Sequence, residues 1–219
     1  MNAQHDALRL ADELDKVPDF QARAWDAARE LRRLHGIYAD LMAALRRFDT
    51  DDEALTAIIR GEGRAFTSGA DVKARQARSR EDLAKRGGPS AHDAKSSDIF
   101  SSALNWKPVI SAVHGYCLGL GITIAFEADM CVAEEDAKFQ ITETPRGLAG
   151  SGKLINVMSY RGRGSFAVDV SITGRFFSGK EAFEAGVVDR VAGKGQAMAV
   201  ARELAAQINK NPPLAVRSC

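Results

Sequence analysis

Cysteine is scarce in this chain. Three occur in 219 residues, Cys117, Cys131 and Cys219. An odd, scattered set without CxxC spacing makes neither a disulfide framework nor a zinc site, so no structural metal is expected. Reduced thiols in a cytoplasmic compartment are the simpler reading. An excess of one charge is also lacking. The formal net charge is +1, so no overall field favours nucleic acid or an anionic membrane, and neither partner is expected. No segment approaches the roughly 20 apolar residues of a membrane span. The opening residues, MNAQHDALRLADELDKV, are acidic and hold no continuous apolar stretch, so no secretory signal is expected there. Internal repeats and domain linkers are absent as well.

What is present is ordinary globular material: 45% hydrophobic and 27% charged residues, enough for one large domain or one domain with a small appendage. From Gln21 to Leu34, QARAWDAARELRRL spaces Ala24, Trp25, Ala28 and Leu31 as an amphipathic helix would, with Gly36 as its end. A second helix is expected over Tyr38–Phe48. LTAIIRG, from Leu55, reads as a buried strand closed by glycines. AFTSGADVK follows as a loop, and residues 73 to 98 form a polar helix-plus-loop segment. Pro108 suits the first position of the next strand, PVISAVHGYCLG, because no ladder donor is needed there. ITIAFEADMCVA reads as a buried helix leading into a strand. Residues 147 to 160 read as a glycine-punctuated loop and an apolar helix. Ser178 and Glu181 have capping-box spacing, with Gly186 as the C-terminal cap. VVDRV is a short strand, and GQAMAVARELAAQINKN a last amphipathic helix terminated by Pro212 and Pro213. Strands alternating with helices make the class α/β.

Two stretches share one format, an apolar strand, then glycines, then a helical pattern. They are IIRGEGRAFTSGADVK, turning near Gly69 and Ala70, and VHGYCLGLGIT, turning at Gly119 to Gly121. Glycine permits close backbone approach and positive φ. A helix starting after such a turn aims its unsatisfied N–H groups, and its positive dipole end, at whatever sits there. Two such donors meeting at one point form an oxyanion hole. On glycine spacing alone, two ordinary strand–helix turns are the better account of the pattern.

The set GEGRAFTSGADVK, KPVISAVHGYCLGLG, EEDAKFQITETPRGL, ITGRFFSGKEAFEAGVVDRV and NPPLAVR resembles the crotonase superfamily, the enoyl-CoA hydratase/isomerase family. Order and spacing match from about Leu41 to the C-terminus. The resemblance implies a crotonase-like spiral of ββα units over a core domain at 37–219, preceded by an atypical helical segment at 1–36. It implies an acyl-CoA substrate, no cofactor beyond the coenzyme A that the substrate carries, and assembly as homotrimers or pairs of trimers (hexamers). It carries the two oxyanion donors onto the N–H groups of Ala70 and Leu120. Ser68, Gly69 and Asp71 on one side, and Gly119 and Gly121 on the other, then shape the substrate site. Leu120 stands where the family usually has glycine.

Chemistry at the thioester α-carbon needs a base. Hydratases of this family typically use two glutamates, and the matching positions here are Thr123 and Glu143. Thr123 can orient a water but cannot serve as a base near neutral pH. One remaining carboxylate suits proton transfer that returns to the same substrate, the logic of Δ3-Δ2 enoyl-CoA isomerases. Hydration needs Thr123 and a backbone group to hold the water. The alternative is a non-catalytic acyl-CoA-binding subunit of the same fold.

Glu127 lies one turn after Thr123 on the same face and is expected to be structural, with a displaced second carboxylate as the alternative. His114 is expected to be a packed histidine and Cys117 a small buried residue rather than a nucleophile. Lys73, Arg75, Arg78, Arg80, Lys85 and Arg86 border the coenzyme A entrance by resemblance, although a solvated helix face explains them equally. Both ends depart from the family pattern. WDAARELRRLHGIYAD replaces the first strands, and NPPLAVRSC ends before the helices that usually cover the acyl pocket.

Overall fold

The computed structural model describes residues 24–27, 37–69, 106–147 and 152–219. Five strands form a parallel sheet in the order β1-β2-β3-β5-β8. They are β1 (Ala24–Ala27), β2 (Thr56–Arg60), β3 (Val109–Val113), β5 (Met130–Glu134) and β8 (Arg190–Ala192). A second sheet joins β4 (Tyr116–Leu118), β6 (Lys138–Gln140) and β7 (Phe177–Ser178), with β4 parallel and β7 antiparallel to β6. The helices are α1 (Ile37–Thr50), α2 (Leu120–Glu127), α3 (Gly152–Arg161), α4 (Gly164–Thr173), α5 (Gly179–Glu184), α6 (Ala197–Ile208) and α7 (Pro213–Arg217).

A parallel sheet needs cover on both faces, and β3 is accordingly buried at every position. Side chains alternate between the two covers. Ile58, Ile110, Ala112 and Val132 pack on one face beneath Ala197, Ala201, Leu204 and Ala205 of α6. Ala57, Val109, Val113, Cys131 and Ala133 point to the other face, where α2 and α3 lie. Four phenylalanines run from there to the second sheet. Phe126 stacks on Phe139 at 5.5 Å, Phe139 on Phe177 at 5.2 Å, and Phe166 meets Phe177 edge-on at 5.3 Å. Their contacts lock α2 and α4 to β6 and β7, the elements that carry the site.

Buried polar groups fix the helix approach. Ser111 donates its hydroxyl to the Ala125 carbonyl at 2.7 Å, tying α2 to β3. Asp129 accepts the Val109 N–H at 2.8 Å. Arg161, at the end of α3, donates to the carbonyls of Phe126, Ala128 and Val187 and pairs with Asp189. Such buried groups are tolerated because their hydrogen bonds replace those lost to water.

Several expectations hold: α1, β2, β3, α2 and β5 lie where the patterns place them, and the Ser178–Glu181 capping box is formed. Others need correction. Where a helix is expected across Gln21–Leu34, Ala24–Ala27 is a strand pairing with β2 in the register Ala24↔Thr56 to Ala27↔Ile59, and the rest of that span lies outside the described residues. A free sheet edge offers that backbone a full ladder, which outweighs weak helical spacing. The strand expected as VVDRV begins only at Arg190, because Val187 and Val188 are buried ahead of it and Asp189 caps the Cys131 N–H. The last amphipathic helix, α6, stops at Ile208, ahead of Pro212 and Pro213, which instead open α7 with proline at its first position. The cap of α5 is Ala185, and Gly186 follows it at φ +79°. The segment expected at residues 73 to 98, and with it the basic residues from Lys73 to Arg86, lies outside the described residues.

Candidate active site

The two glycine turns meet at the C-terminal edge of β4. Thr67 forms a parallel bridge with Cys117, its N–H donating to Tyr116 and its carbonyl accepting from Leu118. Two residues on, Gly69 has φ +94°, and its N–H reaches back to Thr67 Oγ1 at 3.2 Å. Gly69 is buried against the other turn. A Cβ there would lie 2.8 Å from the Leu118 carbonyl oxygen and 3.8 Å from the Leu120 nitrogen. Ser68 is exposed beside it. Ala70 and Asp71 lie outside the described residues.

Across the site, Gly119 has φ +49° and donates its N–H to the Gln140 carbonyl at 2.9 Å. Leu120 is the first residue of α2, where an N–H has no intrahelical acceptor. No acceptor for it is found among the described residues. Its side chain is half-buried. Gly121 must be small, since a Cβ would sit 2.1 Å from Thr67 Cγ2 and 3.4 Å from Cys117 Sγ. Thr123 follows on α2, 3% exposed.

Glu143 comes from the loop after β6. It caps a single 3-10 turn, Thr144–Arg146, that closes on Gly147 at φ +66°. Its carboxylate reaches the glycine turn: a Cβ on Gly119 would fall 3.5 Å from Glu143 Oε1, 3.9 Å from Oε2 and 2.7 Å from Thr142 Oγ1. Glu143 Oε2 is buried and has no hydrogen-bond partner among the described residues. Withdrawing a polar atom from water without a partner costs about 1–3 kcal/mol, more for a charge. An atom kept so is available to bind or move a proton.

Glu127 pairs with Lys153 of α3 at 2.6 Å. His114 Nε2 contacts the Gly63 carbonyl oxygen at 3.1 Å. Burial pushes the Cys117 thiol well above its ordinary range, the reverse of what a thiolate nucleophile needs. No cluster of three metal-ligating side chains occurs among the described residues, and no helix among them is long and apolar enough to cross a membrane. Two participants escaped the sequence reading. Thr67 positions the first loop, and the available signal was the Thr-x-Gly spacing that lets a hydroxyl accept the N–H two residues on. Gln140 accepts from Gly119 through a backbone carbonyl, for which no local signal exists.

The model of the family described as enoyl-CoA hydratase/isomerase matches residues 35–219. A mevalonyl-coenzyme A hydratase from Aspergillus fumigatus is 35% identical over 171 residues, covering 78% of this chain and 61% of that protein. An enoyl-CoA hydratase from Mycobacterium tuberculosis is 35% identical over 184 residues, covering 81% of this chain and 66% of the relative. The chain thus spans slightly less than two thirds of the length of either. Among solved structures, an enoyl-CoA hydratase from Mycobacterium marinum superposes with a TM-score of 0.68 at 32% identity, over 83% of this chain and 68% of the other. The expected crotonase-type α/β fold is therefore present, and the chain belongs to the enoyl-CoA hydratase/isomerase family of the crotonase superfamily.

Proposed function

We propose that the protein is an acyl-CoA thioester enzyme of the hydratase/isomerase type, with Glu143 as its single acid/base. The carrying observation is the buried, unpartnered Oε2 of Glu143 beside a glycine turn whose Leu120 N–H is unclaimed among the described residues. A thioester oxygen held by the N–H groups of Leu120 and Ala70 gains charge when the α-proton leaves. Fixed donors there lower the barrier because they need not reorganise. Glu143 takes the C2 proton. Returning it at C4 moves the double bond, which needs no second carboxylate. Hydration of a 2-enoyl thioester requires in addition that Thr123 and a backbone group orient the water. Hydratases among the relatives favour including that second reaction in the test.

Gly69, Gly119 and Gly121 let the substrate approach the backbone, with Ser68 and Asp71 flanking it. Coenzyme A arrives as part of the substrate, and no further cofactor enters the scheme. We place the protein in the cytoplasm, in keeping with three free cysteines. Assembly into trimers or pairs of trimers is supported by the exposed apolar side chains of Tyr116, Val168, Ile172 and Phe176, which a contact between copies would cover.

Turnover of 3-enoyl-CoA and 2-enoyl-CoA thioesters by wild type and Glu143→Gln tests the reading. Loss of the base should lower the rate by about 10²–10⁴-fold. Equal rates would remove Glu143 from the mechanism. Tight coenzyme A binding with no turnover of any enoyl thioester would leave a non-catalytic acyl-CoA-binding subunit instead.

A further inference from the structure

We infer that Gln140 and Thr144 are positioning residues that hold Glu143 by docking its loop onto the C-terminal end of α4. This rests on Glu143 being the base. Taken alone, the loop has few means of holding a carboxylate still. Thr144 to Gly147 are exposed. Their internal support is one short turn, with N–H bonds from Arg146 to Glu143 and from Gly147 to Thr144, both 3.0 Å, and a bond from Arg146 Nη1 to the Thr142 carbonyl.

The loop is instead gripped from α4 on both sides of Glu143. Before it, Gln140 Nε2 donates to the Gly174 carbonyl at 2.8 Å. After it, Thr144 Oγ1 donates to the Ser171 carbonyl at 2.7 Å. These acceptors lie in the last turn of α4 and at its cap, where carbonyls lack helical partners. Pro145 closes the contact, since a Cβ on Gly174 would meet its Cγ at 2.3 Å. Gly174 has φ +61° and caps α4 through its N–H to Val170. Gln140 also touches the opposite wall of the site, because its backbone carbonyl accepts the Gly119 N–H. One residue thus sets the oxyanion turn with its backbone and the base loop with its side chain.

The test compares Gln140→Met, Thr144→Val and Thr144→Ser with Glu143→Gln in the full chain. Thermal unfolding is measured beside kcat and KM. Met and Val keep the shape but cannot donate, whereas Ser can. A base displaced by about 1 Å loses on the order of 10²-fold in rate. We expect kcat to fall by about ten- to a hundredfold for Gln140→Met and Thr144→Val with KM unchanged, and Thr144→Ser to keep the wild-type kcat. A merely structural role would lower thermal stability and leave kcat per folded molecule alone. Wild-type kcat in both non-donating variants, with Glu143→Gln inactive, would overturn the positioning role while the base stands. Full activity in Glu143→Gln, or no turnover by the wild type, would take down both.

Discussion

Gly121→Ala should push the two loops of the site apart. The added Cβ would lie 2.1 Å from Thr67 Cγ2, with Cys117 Sγ at 3.4 Å and Thr67 Cβ at 3.5 Å. Carbon atoms pack at about 3.5–4.0 Å, so Thr67 must retreat by roughly 1.5 Å. Rotating its side chain is a poor escape, because Oγ1 accepts the Gly69 N–H in the present rotamer. The strain passes to a backbone bridged to Cys117 and from there to Gly69, which lies against Leu120. Overpacking of this kind costs about 1–3 kcal/mol. For a chain of this size each kcal/mol lowers Tm by roughly 2–4 °C. A donor loop displaced by about 1 Å should cost around 10²-fold in kcat/KM. Thr67→Ser in the same protein deletes Cγ2, keeps the hydroxyl and should restore both Tm and turnover. With the clash gone, alanine in the helix also regains up to about 1 kcal/mol over glycine. Thermal unfolding and enoyl-CoA turnover of the two single variants and the double variant decide the matter. Wild-type Tm and rate in Gly121→Ala, or a double variant no better than Gly121→Ala, would show that Thr67 does not keep position 121 small.

Other consequences are simpler to read. A thiol reagent at pH about 8 should label only Cys219 in the folded protein, since Cys117 and Cys131 are buried and burial holds Cys131 up at about 12. All three should react in denaturant, and rapid labelling of three thiols in the native protein would contradict the packing. Glu181 has its carboxyl held below the ordinary value by the Ser178 N–H, with Arg175 adding to the effect. Its folded value lies below its unfolded one, so its stabilisation is complete above the ordinary 4.5 and is lost as pH falls through the depressed value. Glu181→Gln should therefore unfold more easily than wild type near neutrality, with the gap closing in acid. A gap that persists at pH about 2 would assign the effect to something other than ionisation. Ser178→Ala removes the other half of the capping box and should cost about 1 kcal/mol in denaturant titration.

Features set by neighbours along the chain were legible in the residues. The capping box at Ser178 and Glu181 involves groups three residues apart, and α1, α2 and β3 follow from patterns that repeat within a few residues. The family, too, was legible, because five motifs in one order leave little room for coincidence. Local spacing misled at Ala24–Ala27, where a segment with helix-like spacing forms a strand on a sheet edge. The partner that decides its conformation is β2, some 30 residues away, and nothing in QARAWDAARELRRL reports on it.

The residues alone name the groups the proposed chemistry would use: a lone glutamate in QITETPRG, a threonine where the resemblance implies a second carboxylate, and glycines able to bare their backbone. How they meet follows from the folded arrangement. It brought Glu143 to Gly119, made Thr67 the reason Gly121 has no side chain, and joined Gln140 to Gly174 across 34 residues. Such contacts depend on the register of β4 against β6 and on where α4 ends. Those are sums of many distant pairings, and no short stretch of sequence contains them.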